Sequence, residues 1–360
     1  MNGLERFMVA LSGKEPDKVP VYELIINSPV IQKIIGKDSL PDLVEYLDLD
    51  GMTAVEDVEM QQVAPGIYRD EWGIIHKVGS TELTYPVAGP IKGSSDLENL
   101  KVPDPEADHR LNTLKSYVRR FKGKRAIVFL GHDAFEFSHY LMGGLDKLLP
   151  LYYRDPEFVH RLAQIVSDYK IEVMKRAAEE GADVLLTGDD YASNSGPLMA
   201  PKLFEEFVLP YMSRAVRVAH NNRLPFIKHT DGRIWKILDP IVEAGIDGLH
   251  PIEPHAGMDI GEVKRKYGRK ICLVGNVDCT ALLPHGSRGE IEEAVKETIA
   301  KASPGGGHII SSSNSIHPGV DSENFRSMIE AARKYGTYPL DESMISVYGK
   351  RDYMRRYRIL

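Results

Sequence analysis

A histidine and an aspartate stand two residues apart at the end of a short apolar run, in His229-Thr230-Asp231-Gly232. On extended backbone such a pair points to one face, so imidazole and carboxylate can share a proton or a metal ion. Gly232 then lets the chain turn sharply into a helix that starts at Arg233. Similar runs end in Asp57 and Glu59; in His132, Asp133 and Glu136; and in Asp189, Asp190 and Tyr191. Further along come Glu253 and His255, Asn276 and Asp278, and Asn314 and His317. Neighbouring carboxylates raise one another's pKa and can hold a proton for acid–base chemistry. The same mixture of His, Asp and Glu suits a divalent metal. A plainer role competes with both, because a strand-end aspartate often caps the next helix. Capping weighs as much as catalysis for Asp133, Asp278 and one of Asp189 and Asp190. His255 and His317 read as loop histidines, Glu59 as a solvent-facing acid, and His285 has no assigned role.

The elements that must position these groups are eight apolar, β-branched runs: residues 19–25, 51–57, 126–133, 184–190, 226–231, 248–254, 271–277 and 308–314. Most are apolar on both faces, as strands covered by helices are. Segments of helical periodicity alternate with them, one of which closes on Gly181. The pattern predicts one α/β domain over residues 1–360, a single (β/α)8 TIM barrel with its chemistry at the C-terminal strand ends. A doubly wound open sheet ranks second, since no GxGxxG follows a strand. Residues 58–125 are too long for one crossover and predict a β-hairpin-containing insertion after strand two, with the hairpin over 68–91. The basic, aromatic tail, 340–360, is expected to pack on the barrel or pair with another subunit as a homodimer.

Composition narrows the classes. Hydrophobic residues make up 42% and charged residues 27%, enough for a core without staples. A net charge of -7 argues against nucleic acid or an anionic membrane as the main partner. The two cysteines, Cys272 and Cys279, cannot form a disulfide framework, and their spacing fits no zinc finger. No apolar stretch approaches the ~18 residues of a membrane span. The first twenty residues lack the features of a signal peptide, so a cytoplasmic protein is expected.

The chain also resembles the uroporphyrinogen decarboxylase superfamily, which holds both the haem-pathway decarboxylase and cobalamin-dependent methyltransferases. The resemblance covers nearly the whole chain. It rests on RFMVALSGKEPDKVPVYE, RDEWGII, FEFSHYLMGG with DPEFV, GDDYASNSGPLMAPKLFEEFVLPY, KHTDG, GNVDCTALLPHG and HIISSSNSIHPGVDSENF. It implies a (β/α)8 barrel. The decarboxylase's Arg-Gln-Ala-Gly-Arg segment falls on Ile26-Asn27-Ser28-Pro29, which has no arginine. Its catalytic aspartate falls near Asp57, its active-site tyrosine on Tyr140 and its late histidine on Asn314. An acidic mouth without those arginines repels a substrate bearing many carboxylates.

Thiol-activating methyltransferases of the superfamily hold zinc with His-x-Cys and a later Cys. Here His229 matches the histidine, while Asp231 and Asn314 replace the cysteines. What the resemblance leaves is a harder oxygen and nitrogen site, with His229, Asp231 and Glu136 or Glu253 as ligands. Zinc there would act as a Lewis acid; without metal, Asp231 or Asp57 would supply the proton. The implied activity is methyl transfer from a small methylated donor (methoxyaromatic, methylamine or betaine) to a partner protein carrying a corrinoid. His229, Asp231, Asp57 and Tyr140 are the expected catalytic residues. Asp189, Asp190, Tyr191, Glu253, Asn276 and Asn314 are expected to bind substrate. Decarboxylation of a tetrapyrrole is the alternative, and a non-enzymatic corrinoid-binding barrel the third.

Overall fold

A computed structural model describes residues 1–79 and 83–357. The strands, in chain order, begin with β1 (Gly51–Val55), β2 (Met60–Ala64), β3 (Ile67–Asp70), β4 (Ile75–Val78) and β5 (Thr84–Ala88). After β6 (Ala126–Gly131) and β7 (Val184–Thr187) come the two-residue strands β8 (Ala192–Ser193) and β9 (Gly196–Pro197). The last are β10 (Phe226–His229), β11 (Gly248–His250), β12 (Cys272–Val274) and β13 (His308–Ile309). Among the described residues, seven of them form one parallel sheet in the order β1-β6-β7-β10-β11-β12-β13.

The sheet is parallel because helices return the chain to the same end each time. Its strands are buried on both faces, and their side chains alternate between two apolar cores. Ile127, Phe129, Leu185 and Phe226 pack outward against the helices. Ala126, Val128, Val184, Leu186, Ile227, Val274 and Ile309 pack inward, so the sheet curls around them. Phe7, Ala10 and Leu11 of the helix Gly3–Leu11 join that inner core.

Residues 19–25, expected as the first strand, make isolated bridges instead. Val21 bridges Ile310 and Ile26 bridges Ile316, both parallel. On the other side, Asp50 N–H donates to the Val21 carbonyl at 2.9 Å, and Val21 N–H donates to Asp50 Oδ2 at 2.7 Å. The segment therefore lies between the two edges of the sheet, β1 and β13. It stays irregular for two reasons. Pro20 has no N–H to give a ladder, and the Asp50 carboxylate takes the Val21 N–H that a strand would have used.

The expected hairpin is a four-stranded antiparallel sheet, β2-β3-β4-β5. Its first strand, Met-Gln-Gln-Val-Ala, is exposed along most of its length and shows no apolar alternation by which to recognise it. Arg110, 1% exposed, ties this sheet to the chain that follows through a fork to Glu71 (Nη2 to Oε1, 2.9 Å). The tail packs back on its own chain. Met354 is buried, and the Tyr353 hydroxyl takes the Asp278 N–H while donating to the Asn276 carbonyl, both at 3.1 Å. No helix among the described residues is long and apolar enough to cross a membrane.

Asp50 is fully buried between Arg6, which donates to Oδ1, and Arg333, 3.3 Å from Oδ2. Removing the buried carboxylate leaves Arg6 to Asp17 and Arg333 to Asp48, takes the acceptor from the Val21 N–H, and loosens the 19–26 segment. Asp50→Ala is expected to cost about 3–5 kcal/mol of stability. Urea unfolding measures it; a change below about 1 kcal/mol would show the junction to be incidental.

Candidate active site

His229 ends β10, and the parallel register of β10 and β11 sets it beside His250. Their Nδ1 atoms lie 2.6 Å apart. The outer nitrogen of His229, Nε2, faces Asp190 Oδ1 at 3.5 Å and Asp231 Oδ1 at 3.7 Å. Both rings are buried. Burial pushes His250 down to about 3, and burial, then His250 and Lys228, pushes His229 well below the usual imidazole range.

The two aspartates shift the other way. Asp190 is 40% exposed at the mouth, yet its Oδ1 accepts the Asp231 N–H at 2.7 Å. Desolvation, helped by the charge of Glu136, raises it to about 7. Asp231 is raised well above the carboxylate range by burial, then by Asp190, Glu253 and Glu136, against the pull of an Asn314 amide on its Oδ2. Asp231 Oδ1 has no hydrogen-bond partner among the described residues. Glu253 accepts the Gly232 N–H at 2.7 Å and is also raised by burial.

A second cluster lies beside the first. Asp189, fully buried, accepts the N–H groups of Asp133 (2.7 Å) and Glu136 (2.8 Å), and so caps the helix Phe135–Met142 from a neighbouring strand. His132 Nδ1 is 3.5 Å from Glu136 and 3.6 Å from Asp189. Burial opposes a charge on His132, but Asp189 and Glu136 outweigh it and lift the imidazole to about 10. Burial likewise opposes a charge on Asp189, but His132 and Lys228 hold it well below the ordinary range. Tyr140 donates its hydroxyl to Glu136 Oε1.

The geometry gathers His229, Asp231, Asp190 and Asn314, with Glu253 joined through Gly232. Glu136, Tyr140 and Asp189 belong to the adjoining cluster. For a cation, the grouping differs from the expected His229, Asp231 and Glu136. It is Asp190 that completes the trio with His229 and Asp231, one ligand atom from each lying within 4.8 Å of the others. Glu136 groups instead with His132 and Asp189. Asp57 is not brought to either cluster: both its oxygens accept from Thr113 (2.8 and 2.6 Å), at the start of the helix Asn112–Phe121. Tyr191 is fully buried, its hydroxyl given to Asp133 and its ring under Lys228 Nζ at 4.1 Å. Asn276 donates to the Ile252 carbonyl at 2.8 Å and shapes its loop.

Two residues escaped the sequence reading. His250 lies inside an apolar run and reads as core. Glu23 also lies within an apolar run, where an acid has to find partners. It accepts the Ser312 N–H at 3.0 and 3.2 Å and the Ser312 hydroxyl at 2.6 Å, and burial pushes it up to about 8. That isolated acid was the signal available.

Residues 75–335 match the family described as uroporphyrinogen decarboxylase (URO-D). Curated relatives include the uroporphyrinogen decarboxylase of Actinobacillus pleuropneumoniae serotype 5b, 26% identical over 260 residues, covering 69% of this chain and 70% of that protein. That of Thioalkalivibrio sulfidiphilus is 26% identical over 263 residues, covering 69% and 71%. Among solved structures, a methyltransferase from Methanosarcina mazei superposes with a TM-score of 0.75 at 20% identity, over 93% of this chain and 99% of that one. That likeness is one of fold.

The raised His132 gives a signed pH effect. A protonated imidazole stabilised in the folded state contributes fully below its ordinary value of 6.5, and the contribution is lost as pH rises through about 10. Urea midpoints measured across that window should fall with rising pH, and fall less in His132→Gln. Equal slopes in the two proteins would remove His132 as the cause.

Proposed function

Since this chain belongs to the uroporphyrinogen decarboxylase family, we propose that it is a methyltransferase, moving a methyl group from a small methylated donor to a corrinoid protein. The observation that carries the reading is the spacing of His229 Nε2 from Asp190 and Asp231, 3.5 and 3.7 Å. Ligand atoms around one tetrahedral zinc, each bonded at about 2.0–2.2 Å, lie roughly 3.5 Å apart. Asp231 Oδ1, buried and without a hydrogen-bond partner among the described residues, gives the trio an oxygen free to coordinate. The donor set therefore fits a zinc ion held by His229, Asp190 and Asp231.

Bound there, zinc would supply Lewis acidity toward a methoxy or amine donor, making it a better leaving group. The protein's own groups do the positioning. Asn314 orients Asp231 through its amide, and Glu253 fixes the turn at Gly232. Glu136, held by Tyr140, adds negative charge at the mouth and disfavours polycarboxylate substrates. The reading takes residues 1–360 as one (β/α)8 domain, with 19–26 as an irregular first strand and the β2–β5 sheet as an insertion over the mouth. The fold likeness supports it. Decarboxylation of a tetrapyrrole is the second reading, favoured by the activity named for the curated relatives.

Metal analysis of the purified protein should find roughly one zinc per chain, lost in His229→Ala. Methoxyaromatic, methylamine and betaine donors are then tried with a corrinoid protein, following the corrinoid absorbance. No change with any of them would sink the methyltransferase reading; CO2 released from uroporphyrinogen would put the second in its place.

A further inference from the structure

Behind His229 lies a row of buried polar groups that the proposed chemistry does not use: His250, Ser311 and Glu23, all 3% exposed or less. They come from three distant parts of the chain, so no single strand explains their alignment. Two ring nitrogens 2.6 Å apart must have one hydrogen between them, because two lone pairs repel and two N–H groups collide. Which ring carries it decides what His229 presents to the mouth. On His229, it leaves Nε2 with a bare lone pair. On His250, it forces the neutral His229 ring to carry its hydrogen on Nε2, with nothing to offer a cation.

The far side of His250 supplies the bias. Its Nε2 faces Ser311 Oγ at 3.4 Å, and that hydroxyl lies 3.3 Å from Glu23 Oε2. Glu23 already gathers the N–H and hydroxyl of Ser312, so it stands as an acceptor. An ionised Glu23 takes the Ser311 hydrogen as well. The Ser311 lone pair then receives His250 Nε2–H, and His250 Nδ1 accepts from His229 Nδ1–H. At the other end no hydrogen bond competes for the choice, since Nε2 stands at 3.5 and 3.7 Å from the two carboxyls.

We propose that, when Glu23 is ionised, Glu23, Ser311 and His250 are positioning residues that hold His229 as its Nδ1–H tautomer, with the Nε2 lone pair turned toward Asp190 and Asp231. The arm fixes the ring by the nitrogen that the mouth does not use. This is how metal-binding histidines are commonly oriented from behind.

The test is a nitrogen NMR spectrum of the 15N-labelled, metal-stripped protein at about pH 9, chosen to ionise Glu23. Burial keeps the neighbouring Tyr22 and Cys279 protonated there. The expected spectrum has His229 protonated on Nδ1 and bare on Nε2, and His250 the reverse. Ser311→Ala should populate the other tautomer and weaken zinc binding by about 10- to 100-fold, while Ser311→Thr, which keeps the hydroxyl, should restore both. Where Ser311→Ala fails to fold, Glu23→Gln is read the same way. A wild-type His229 protonated on Nε2, or an alanine variant with unchanged tautomer and affinity, overturns the proposal. Only the zinc measurement rests on the functional reading above. The tautomer is read without metal, donor or corrinoid, so failure of either idea leaves the other standing.

Discussion

Asp50 accepts the Val21 N–H from one side and is held between Arg6 and Arg333 on the other. That arrangement fixes residues 19–26 against β1, while Tyr22 N–H donates to Ile310 beyond β13 at 3.1 Å. The site depends on this junction more than on any contact within it. Glu23 rides on the fixed segment, and Ser311, Ser312 and Asn314 follow the strand on its far side. Were the segment to drift, Glu23 would lose Ser312, and the row behind His229 would lose its anchor. A buried carboxylate between two guanidinium groups is costly to assemble but costlier to leave half made, so the junction is stiff.

The mouth holds two acid clusters that answer the same desolvation in opposite ways. Asp189 keeps its charge because His132, Lys228 and the N–H groups of Asp133 and Glu136 surround it. For Asp190 and Asp231, burial and the acids beside them outweigh Lys228 and Asn314, and both carboxyls are raised. Depth does not separate them, since Asp189 is the more buried. Supply of positive charge does. One cluster sets an imidazole raised to about 10 among its acids, and the other sets carboxyl beside carboxyl.

Much of this was legible in the sequence, and the failures have physical reasons. The spacing of His229 and Asp231 gave their shared face, because side-chain alternation on extended backbone is rigid. The parallel α/β sheet followed from the apolar runs, as did the family from its motifs. Helix-start acids such as Glu136 and strand-end acids such as Asp190 look alike in sequence, and only the fold groups Asp190 with His229 and Asp231. Asp57 illustrates the capping role that competes at every strand end. His250 was invisible for a different reason: its partners are supplied by other strands, and an imidazole inside an apolar run carries no local mark of them. The regularity expected at residues 19–25 failed on Pro20 and on a carboxylate fifty positions into the chain.

The loop after β12 is held by a residue that comes much later. Tyr353 reaches back 77 positions to the Asn276 carbonyl and takes the Asp278 N–H as well. On a ribosome the chain appears in order, so the loop emerges long before the hydroxyl that fastens it. Every strand of the parallel sheet can be outside while that loop is still untethered. Completion of this rim therefore waits for Tyr353 to emerge, and a nascent chain stalled before residue 353 carries the framework with that loop unfastened.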